Sequence, residues 1–376
     1  MHAALNGSPA KSCKGKAAMR VFTYTSAHAR ILFGAGRAAD LADEVRLLGC
    51  RRALVVTTPE QRDLGESLVA VLGNLAAAYF DGATMHTPVE VTDRAMDKLR
   101  NSDVDCLIAA GGGSAVGLSK ALAARTGLPQ IAIPTTYAGS EVTPILGETQ
   151  GGRKTTRRAP EILPRVVIYD VDLTLSLPAS LSASSGLNAI AHAVEALYAK
   201  DRNPIASLIA EDGIRALGGS LLEIAKNPRD LDARAEAQYG AWLCGTCLGT
   251  VGMALHHKIC HVLGGTFDLP HALTHSVVLP YVLAYNAHAA SGAVAGVARA
   301  LSSGPEPWQH LYQMLERLGL PTSLRALGMP ADKLDVTADL VLQQAYWNPR
   351  PVERESLLRL LGAAYEGVPP SPDMSF

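Results

Sequence analysis

The stretch Val104-Asp-Cys-Leu-Ile-Ala-Ala110-Gly111-Gly112-Gly113-Ser114 joins a short apolar run directly to three glycines and a serine. The run predicts a buried strand, and residues 115–125 after it predict a helix. A glycine turn between a strand and a helix presents backbone N–H groups at a helix N-terminus, where they bind anions such as phosphate. A tight turn without a ligand needs the same glycines, so the stretch alone leaves both interpretations open.

Apolar runs and longer amphipathic runs alternate on both sides of this turn. The predicted strands are residues 31–33, 53–57, 75–80, 104–110, 130–134 and 166–169, with a hairpin over 143–157. Strands that alternate with helices are typical of a parallel α/β domain. We therefore predict an α/β dinucleotide-binding domain over residues 21–178.

Ligands of such sheets bind at the carboxyl ends of the strands, where this chain carries glycines and threonines. The end of the second strand usually supplies an acid for the adenosine ribose, but here it reads Thr57-Thr58. We therefore expect NADPH to be tolerated as well as NADH. The predicted cofactor contacts are Gly34, Gly36, Thr57, Thr58, Gly112, Gly113, Ser114, Thr135 and Thr136.

Beyond Pro178 the sequence changes to long helical segments, which predict an all-α catalytic domain over residues 179–376. In one segment Asn188, His192 and Glu195 follow each other at i, i+4 and i+7, so they share one face of an otherwise apolar helix. A polar face of this kind indicates a buried site, which we place in the cleft between the two domains.

A second polar group comes later in the same half. His257 and His261 are one helical turn apart, and His271 follows a proline. One histidine alone is more often a core residue with a hydrogen-bond partner, but three at these spacings favour a functional site.

Composition excludes several classes of function. The formal net charge is −1 and only 18% of the residues are charged, so nothing indicates a nucleic-acid partner. Apolar runs stay below the roughly 18 residues of a membrane span. The six cysteines lie mostly in apolar runs, which fits buried thiols in the cytoplasm. Residues 1–20 are predicted to be a flexible extension.

Three motifs and the two histidine segments together resemble the iron-containing (type III) alcohol dehydrogenase family, from about residue 21 to 365. The motifs are Gly112-Gly113-Ser114, Pro134-Thr135-Thr136 and Gly139-Ser140-Glu141-Val142-Thr143. The resemblance implies the dehydroquinate synthase-like architecture, an NAD(P)-dependent oxidoreductase and a homodimer. It also adds Ser140 to the cofactor contacts.

The resemblance further implies a set of site residues. The family's metal ligands, one aspartate and three histidines, correspond to Asn188, His192, His257 and His271. His261 matches a histidine beside the nicotinamide.

Several departures from the family pattern point to one branch. Asn188 replaces the aspartate ligand, Gly117 replaces an acid of the glycine-loop helix, and the segment Thr136–Ser140 is shortened. Together with Ala241-Trp242, His256-His257-Lys258 and Trp347-Asn348-Pro349-Arg350-Pro351, they resemble enzymes that reduce maleylacetate, a small dicarboxylate, to 3-oxoadipate during degradation of aromatic and chloroaromatic compounds.

The chemistry of this substrate explains why a metal is not expected to be required. Hydride addition to an enone gives an enolate, which is far less basic than the alkoxide of a simple carbonyl reduction and can be stabilised by a histidine or by Lys258. Arg350, between two prolines, is the predicted clamp for a substrate carboxylate, with a surface arginine as the alternative. Tyr137, beside the nicotinamide-side threonines, is a predicted substrate contact.

Three other interpretations remain open at this point. A metal-dependent dehydrogenase of the same family would act on a small alcohol or aldehyde. A lyase on the dehydroquinate synthase-like scaffold would use a richer set of metal ligands and lysines, and Asn188 argues against it. A nucleotide-binding protein without catalytic activity would leave the histidines unexplained.

Overall fold

We describe the protein from a computed structural model. The structure describes residues 22–25, 29–151, 153–343 and 346–372, so the predicted extension over residues 1–20 lies outside it.

The strands of the first half of the chain are β1 (Arg30–Phe33), β2 (Ala53–Val56), β3 (Ala76–Phe80), β4 (Cys106–Gly111), β5 (Gln130–Pro134), β6 (Ile145–Gln150), β7 (Arg153–Arg158) and β8 (Val166–Tyr169). Six of these strands form one parallel sheet, in the spatial order β1-β8-β5-β4-β2-β3. The remaining two strands, β6 and β7, form the predicted antiparallel hairpin.

The centre of the sheet is shielded from solvent, and apart from Gln130 its strands are apolar. Every residue of β2, β4 and β5 is buried, as expected for parallel strands that are covered on both faces. β4 is aligned so that Gly111 pairs with Pro134. The glycine turn and the threonines after β5 therefore emerge side by side at the carboxyl edge.

Helices cover the sheet and build the second half. They are α1 (Leu41–Leu47), α2 (Arg62–Leu72), α3 (Val89–Arg100), α4 (Gly113–Thr126), α5 (Ala179–Tyr198), α6 (Pro204–Lys226), α7 (Leu231–Thr250), α8 (Leu255–Phe267), α9 (His271–Asn286), α10 (Ser291–Ala300), α11 (Pro307–Arg317), α12 (Leu334–Gln343) and α13 (Arg354–Glu366). The predicted α/β and all-α halves are confirmed, whereas the boundary at residue 178 stays a prediction.

One helical prediction was wrong. The sequence predicts a break between residues 217 and 219, but α6 runs through Gly218 and Gly219. A Cβ atom on Gly218 would lie 2.5 Å from the side chain of Leu301. The glycine therefore allows close packing against neighbouring residues, which offsets its cost of about 1 kcal/mol in a helix.

Two glycines bring the halves into direct backbone contact. A Cβ atom on Gly139, in the loop after β5, would lie 2.8 Å from Cα of Gly245 in α7. Gly139 also has φ +76°, a left-handed conformation that favours glycine. The helical half thus packs directly on the loop that carries the predicted cofactor and substrate contacts.

We expect Gly245→Ala to lower the free energy of unfolding by about 1–3 kcal/mol, because the added methyl group meets the backbone of Gly139, which cannot rotate away. Urea denaturation measures the change. The control is Gly219→Ala in α6, where an added Cβ meets nothing within 4 Å and the better helix former stabilises by about 0.5–1 kcal/mol. Equal stability of Gly245→Ala and the wild type would contradict the close contact.

Candidate active site

The predicted polar face of α5 lies inside the helical half. Asn188 and His192 are each 4% exposed, and Glu195 is fully buried. Backbone N–H groups of Ala254 and His256 donate to the Glu195 carboxylate, at 2.7 Å each. Because these residues begin α8, the carboxylate satisfies N–H groups that a helix start otherwise leaves without partners.

A continuous chain of hydrogen bonds runs from this carboxylate through two histidines. Nδ1 of His257 lies 2.7 Å from Oε2 of Glu195, and Nε2 of His257 lies 2.8 Å from Nδ1 of His192. A carboxylate can only accept, so His257 donates from Nδ1 to Glu195. Nε2 of His257 and Nδ1 of His192 then share one further proton.

Burial changes the pKa of the His192 ring. It lowers the pKa of His192 well below the usual value, and the neighbouring His257 and His271 lower it further, while a backbone hydrogen bond with Ala138 acts in the opposite direction. His192 is therefore held neutral. His257 has the Glu195 carboxylate as its partner on the other side of the ring.

A second pair of buried histidines lies against the first. Nε2 of His256 is 3.0 Å from Nδ1 of His275, and the ring of His275 lies 4.4 Å from that of His271 between centroids. His275 is not among the site residues predicted from the sequence. Its spacing of four residues from His271 was the signal that could have found it.

Lys258, His261 and Tyr346 lie together beside this cluster. Nζ of Lys258 is 5.7 Å from the centre of the Tyr346 ring, and the Tyr346 hydroxyl is 3.4 Å from Nδ1 of His261. Tyr346 is 40% exposed, whereas Lys258 is buried and burial lowers its pKa. The sequence analysis named the segment 347–351 but missed Tyr346 immediately before it.

Two predicted substrate contacts have other partners in the structure. The ring of Tyr137 is fully buried, and its hydroxyl accepts a hydrogen bond from Arg234. Arg350 donates to the carbonyl of Tyr285 at 3.0 Å and lies over the Tyr285 ring, 4.1 Å from its centre. That carbonyl belongs to the last turn of α9, so Arg350 acts there as a helix C-terminal cap. The structure does not bring either side chain to the histidines.

The glycine turn after β4 fits a phosphate group. Gly112 precedes α4, and no side chain caps this helix start. A Cβ atom on Gly112 would lie 2.9 Å from Thr136, while one on Gly113 would meet nothing within 4 Å. Open space thus lies over backbone N–H groups that lack side-chain partners, which is the arrangement that binds a pyrophosphate.

The first glycine turn, after β1, binds a carboxylate of the protein itself. The N–H groups of Gly36 and Ala38 donate to the Asp170 carboxylate, at 3.0 and 2.7 Å. The turn also follows β1, at the sheet edge and three strands from β4. The Asp170 carboxylate therefore takes the place predicted for cofactor phosphate at Gly36, and the N–H of Gly34 donates instead to the carbonyl of Tyr169 at 3.0 Å.

The end of β2 differs from its prediction in one respect. Thr57 is buried with its hydroxyl 2.9 Å from that of Tyr79, and Thr58 is partly exposed. Asp81 follows the adjacent strand β3, and its carboxylate pairs with Arg62. An acid is thus present at this edge, although a different strand supplies it.

Family models match nearly the whole described chain. Residues 28–171 match iron-containing alcohol dehydrogenases, and residues 182–365 match the C-terminal part of the Fe-containing alcohol dehydrogenase family. The maleylacetate reductase of Rhizobium sp. strain MTP-10005 is 55% identical over 352 residues, which are 94% of this chain and 100% of that protein. The chain belongs to the iron-containing alcohol dehydrogenase family.

Other members of the family agree with this result. The maleylacetate reductase of Burkholderia cepacia is 51% identical over 94% of this chain and 100% of that protein. The crystal structure of maleylacetate reductase from Agrobacterium tumefaciens is 55% identical, covers 94% of this chain and 100% of that chain, and superposes with a TM-score of 0.91. The predicted resemblance is confirmed, and the chain is an oxidoreductase.

The name of the family implies iron, but the side chains at its ligand positions do not form a metal shell. In the described ranges, two groups of histidine, cysteine or acidic side chains hold all their ligand atoms within 4.8 Å: His256, Cys260 and His275, and Cys50, Asp105 and Cys106. Neither includes His192, His257 or His271.

The donor atoms themselves explain the misfit. His192 and His257 face each other at 2.8 Å, so each uses a ring nitrogen on the other. The carboxamide oxygen of Asn188 is neutral, and it is buried without a hydrogen-bond partner. A divalent cation is bound more strongly by a carboxylate than by this amide oxygen. The set does not fit a catalytic metal.

The helices in the part of the chain that the structure describes include no membrane span. None of them is both long enough and apolar enough to cross a bilayer.

Proposed function

We propose that the protein reduces the carbon–carbon double bond of maleylacetate and releases 3-oxoadipate, with NADH or NADPH as reductant. Full-length relatives that carry the name maleylacetate reductase support the substrate. The observation that carries the mechanism is the chain Glu195–His257–His192 beside a neutral Asn188.

The reaction needs a hydride, an acid and a place for negative charge. When bound, the dinucleotide supplies hydride to the alkene carbon β to the ketone, and the electrons of the double bond move onto the ketone as an enolate. One proton at the neighbouring carbon then completes the product. Since the enolate oxygen is less basic than the alkoxide oxygen of a simple carbonyl reduction, preorganised hydrogen-bond donors are sufficient to stabilise it.

The histidine chain is suited to deliver that proton. The proton between Nε2 of His257 and Nδ1 of His192 can transfer along their hydrogen bond toward His192, because the two nitrogen atoms are only 2.8 Å apart. Glu195 meanwhile holds His257 in place through Nδ1. Three hydrogen bonds at 2.7 Å fix the carboxylate itself. Reorganisation during proton transfer is therefore small.

Lys258 supplies positive charge beside the same histidines. Its pKa is lowered because the side chain is buried, and Tyr346 lies against it. A buried ammonium group binds a carboxylate or an enolate oxygen through a charge-assisted hydrogen bond. We assign Lys258, rather than Arg350, as the cation that receives the substrate.

We expect Lys258→Met to raise KM for maleylacetate by about 10–100-fold, because a charge-assisted hydrogen bond contributes about 1.5–3 kcal/mol. Arg350→Met is the matched variant. It removes a cation that caps α9, so it should lower thermal stability and leave KM within about twofold. Steady-state kinetics at saturating NADH measures both. A rise in KM for Arg350→Met with none for Lys258→Met would reverse the assignment.

The activity itself is tested by following NADH absorbance on addition of freshly generated maleylacetate, before and after treatment with a chelator. We expect oxidation of NADH with formation of 3-oxoadipate, and equal rates after chelation. Absence of NADH oxidation would contradict the proposed reaction. Loss of the rate with chelator, and its recovery with a divalent metal, would contradict the metal-free mechanism.

We also propose a cytoplasmic homodimer that acts in the catabolism of aromatic compounds. The resemblance to the family supports the dimer, and the buried free thiols support a reducing compartment. Light scattering on the purified protein tests the dimer.

A further inference from the structure

The crevice for a dinucleotide lies between the carboxyl ends of β2 and β4. These strands are neighbours, but the chain leaves β2 toward β3 on one side and leaves β4 toward β5 on the other. Connections that diverge from adjacent parallel strands open a crevice at their carboxyl ends, and nucleotides bind there. The uncapped start of α4 lies at the same point.

The two halves of the dinucleotide must leave this point in opposite directions. On the β5 side, the loop after Pro134 leads to Ala138, whose backbone hydrogen-bonds with His192. The nicotinamide must reach the histidines, so it takes that side. The adenosine half therefore lies over the ends of β2 and β3.

The strand register places Asp81 beside the end of β2. Val56 pairs with Phe80, the N–H of Thr57 donates to the carbonyl of Phe80 at 3.0 Å, and the N–H of Ala83 donates to the carbonyl of Thr57 at 3.1 Å. Asp81 thus follows β3 about one strand spacing, roughly 5 Å, from Thr57 and Thr58. In dinucleotide-binding sheets the acid that meets the adenosine ribose follows the strand next to the glycine-turn strand, which is β2 here. Because β2 ends in Thr57-Thr58, Asp81 on the adjacent strand is the acid that lies beside this position.

We infer that the ion pair Asp81–Arg62 sets the choice between NADH and NADPH. This inference rests on the proposed dinucleotide-dependent function. Asp81 accepts a hydrogen bond from the ribose 2′-hydroxyl of NADH, whereas it repels a 2′-phosphate. Its carboxylate also holds the guanidinium of Arg62, which would otherwise be the natural partner of that phosphate.

The two members of the pair therefore have opposite effects. Removing the charge of Asp81 frees Arg62 and removes a repulsive group, so both changes favour NADPH. Removing Arg62 leaves the Asp81 carboxylate without its counter-charge, so the repulsion of a 2′-phosphate grows. Both side chains are at least one-third exposed, which allows either substitution without loss of the fold.

The experiment compares Asp81→Asn and Arg62→Gln with the wild type by fluorescence titration of NADH and NADPH without substrate, followed by kcat/KM for each cofactor with maleylacetate. We expect the preference for NADPH over NADH to rise at least about tenfold in Asp81→Asn and to fall at least about tenfold in Arg62→Gln. The preference is a ratio within one protein, so a change in stability or active fraction cancels.

Two control variants separate the pair from general charge effects. Asp43→Asn disrupts an exposed arginine–aspartate pair of the same domain, 2.8 Å from Arg46, and should leave the ratio unchanged. Glu60→Gln removes a negative charge on the same edge, at a carboxylate that hydrogen-bonds with Thr58, without releasing Arg62. We expect it to change the ratio less than threefold.

Each outcome has a distinct meaning. Shifts of the binding ratio in opposite directions for the two variants support the inference, even if maleylacetate is not reduced. Ratios unchanged within twofold in a protein that reduces maleylacetate overturn it. A shift in Glu60→Gln as large as that in Asp81→Asn also overturns it, because the charge of the edge alone would then explain the preference.

Discussion

Replacing His257 with asparagine is expected to lower kcat for maleylacetate reduction by about 10²–10⁴-fold, the range that a positioned general acid contributes. Asparagine retains a group that can donate to Glu195, so the start of α8 stays capped. It cannot, however, pass a proton to Nδ1 of His192 across the 2.8 Å contact. Stopped-flow and steady-state measurements with NADH give kcat, and fluorescence titration gives the affinity for NADH, which should change less than twofold.

Two further variants support this prediction. His310→Asn, in α11 outside the histidine cluster, should retain wild-type kcat. Glu195→Gln should lower kcat by a smaller factor, because it replaces the carboxylate beside His257 with a neutral amide. The single amide oxygen can accept from only one of the N–H groups of Ala254 and His256, which bond to different carboxylate oxygens, so this variant should also lose stability at the start of α8. If His257→Asn retained more than about a tenth of the wild-type kcat, the proton would have to come from another group or from water.

Local patterns were sufficient for the features that depend on neighbours along the chain. The apolar run before Gly111 forms β4, and the glycines after it form the start of α4. The spacing of Asn188, His192 and Glu195 places them on one buried face of α5. Their periodicity is a property of the helix, so the sequence alone defines it.

The errors concern side chains whose partners lie far away in sequence. Gly34 and Gly36 form the expected turn, but the Asp170 carboxylate, which is more than 130 residues away, accepts from the N–H group of Gly36. Arg350 lies in the expected proline-rich segment, yet its guanidinium donates to the carbonyl of Tyr285 at the end of α9. Composition and spacing indicate which groups can bind an anion, whereas the tertiary fold determines which group in the protein becomes their partner.

The acid at the adenosine end, Asp81, is a group that the sequence alone does not place at the predicted site. No acid follows β2 directly, and the sequence analysis inferred tolerance of NADPH from that absence. Strand pairing between Val56 and Phe80 brings Asp81 to the same edge. Pairing partners in a parallel sheet are not adjacent in sequence, so only the register reveals that β3 supplies the acid.

Restoring a carboxylate at position 188 is expected to create a metal site. Asn188→Asp places an anion where the amide oxygen is now buried without a partner, one helical turn from His192. A divalent cation then gains an anionic ligand. Its stronger binding favours separation of His192 from His257, so that both rings can act as ligands. We expect the affinity for Zn²⁺ to rise by at least about 100-fold, in keeping with the preference of divalent cations for carboxylate over amide oxygens.

The measurement is the metal content after equilibration with Zn²⁺ and dialysis, together with kcat for maleylacetate. Asn188→Leu is the control, because it keeps a similar volume and offers no oxygen ligand. In Asn188→Asp, a bound cation should occupy His192 and His257 and thereby interrupt the path of the proton, so kcat should fall as metal binds and recover on chelation. No metal in either the wild type or Asn188→Asp would contradict the predicted site, whereas about one equivalent of metal in both would mean that the amide oxygen is already a sufficient ligand. In that case the hydrogen bond between the two histidines would describe only the metal-free state of the site.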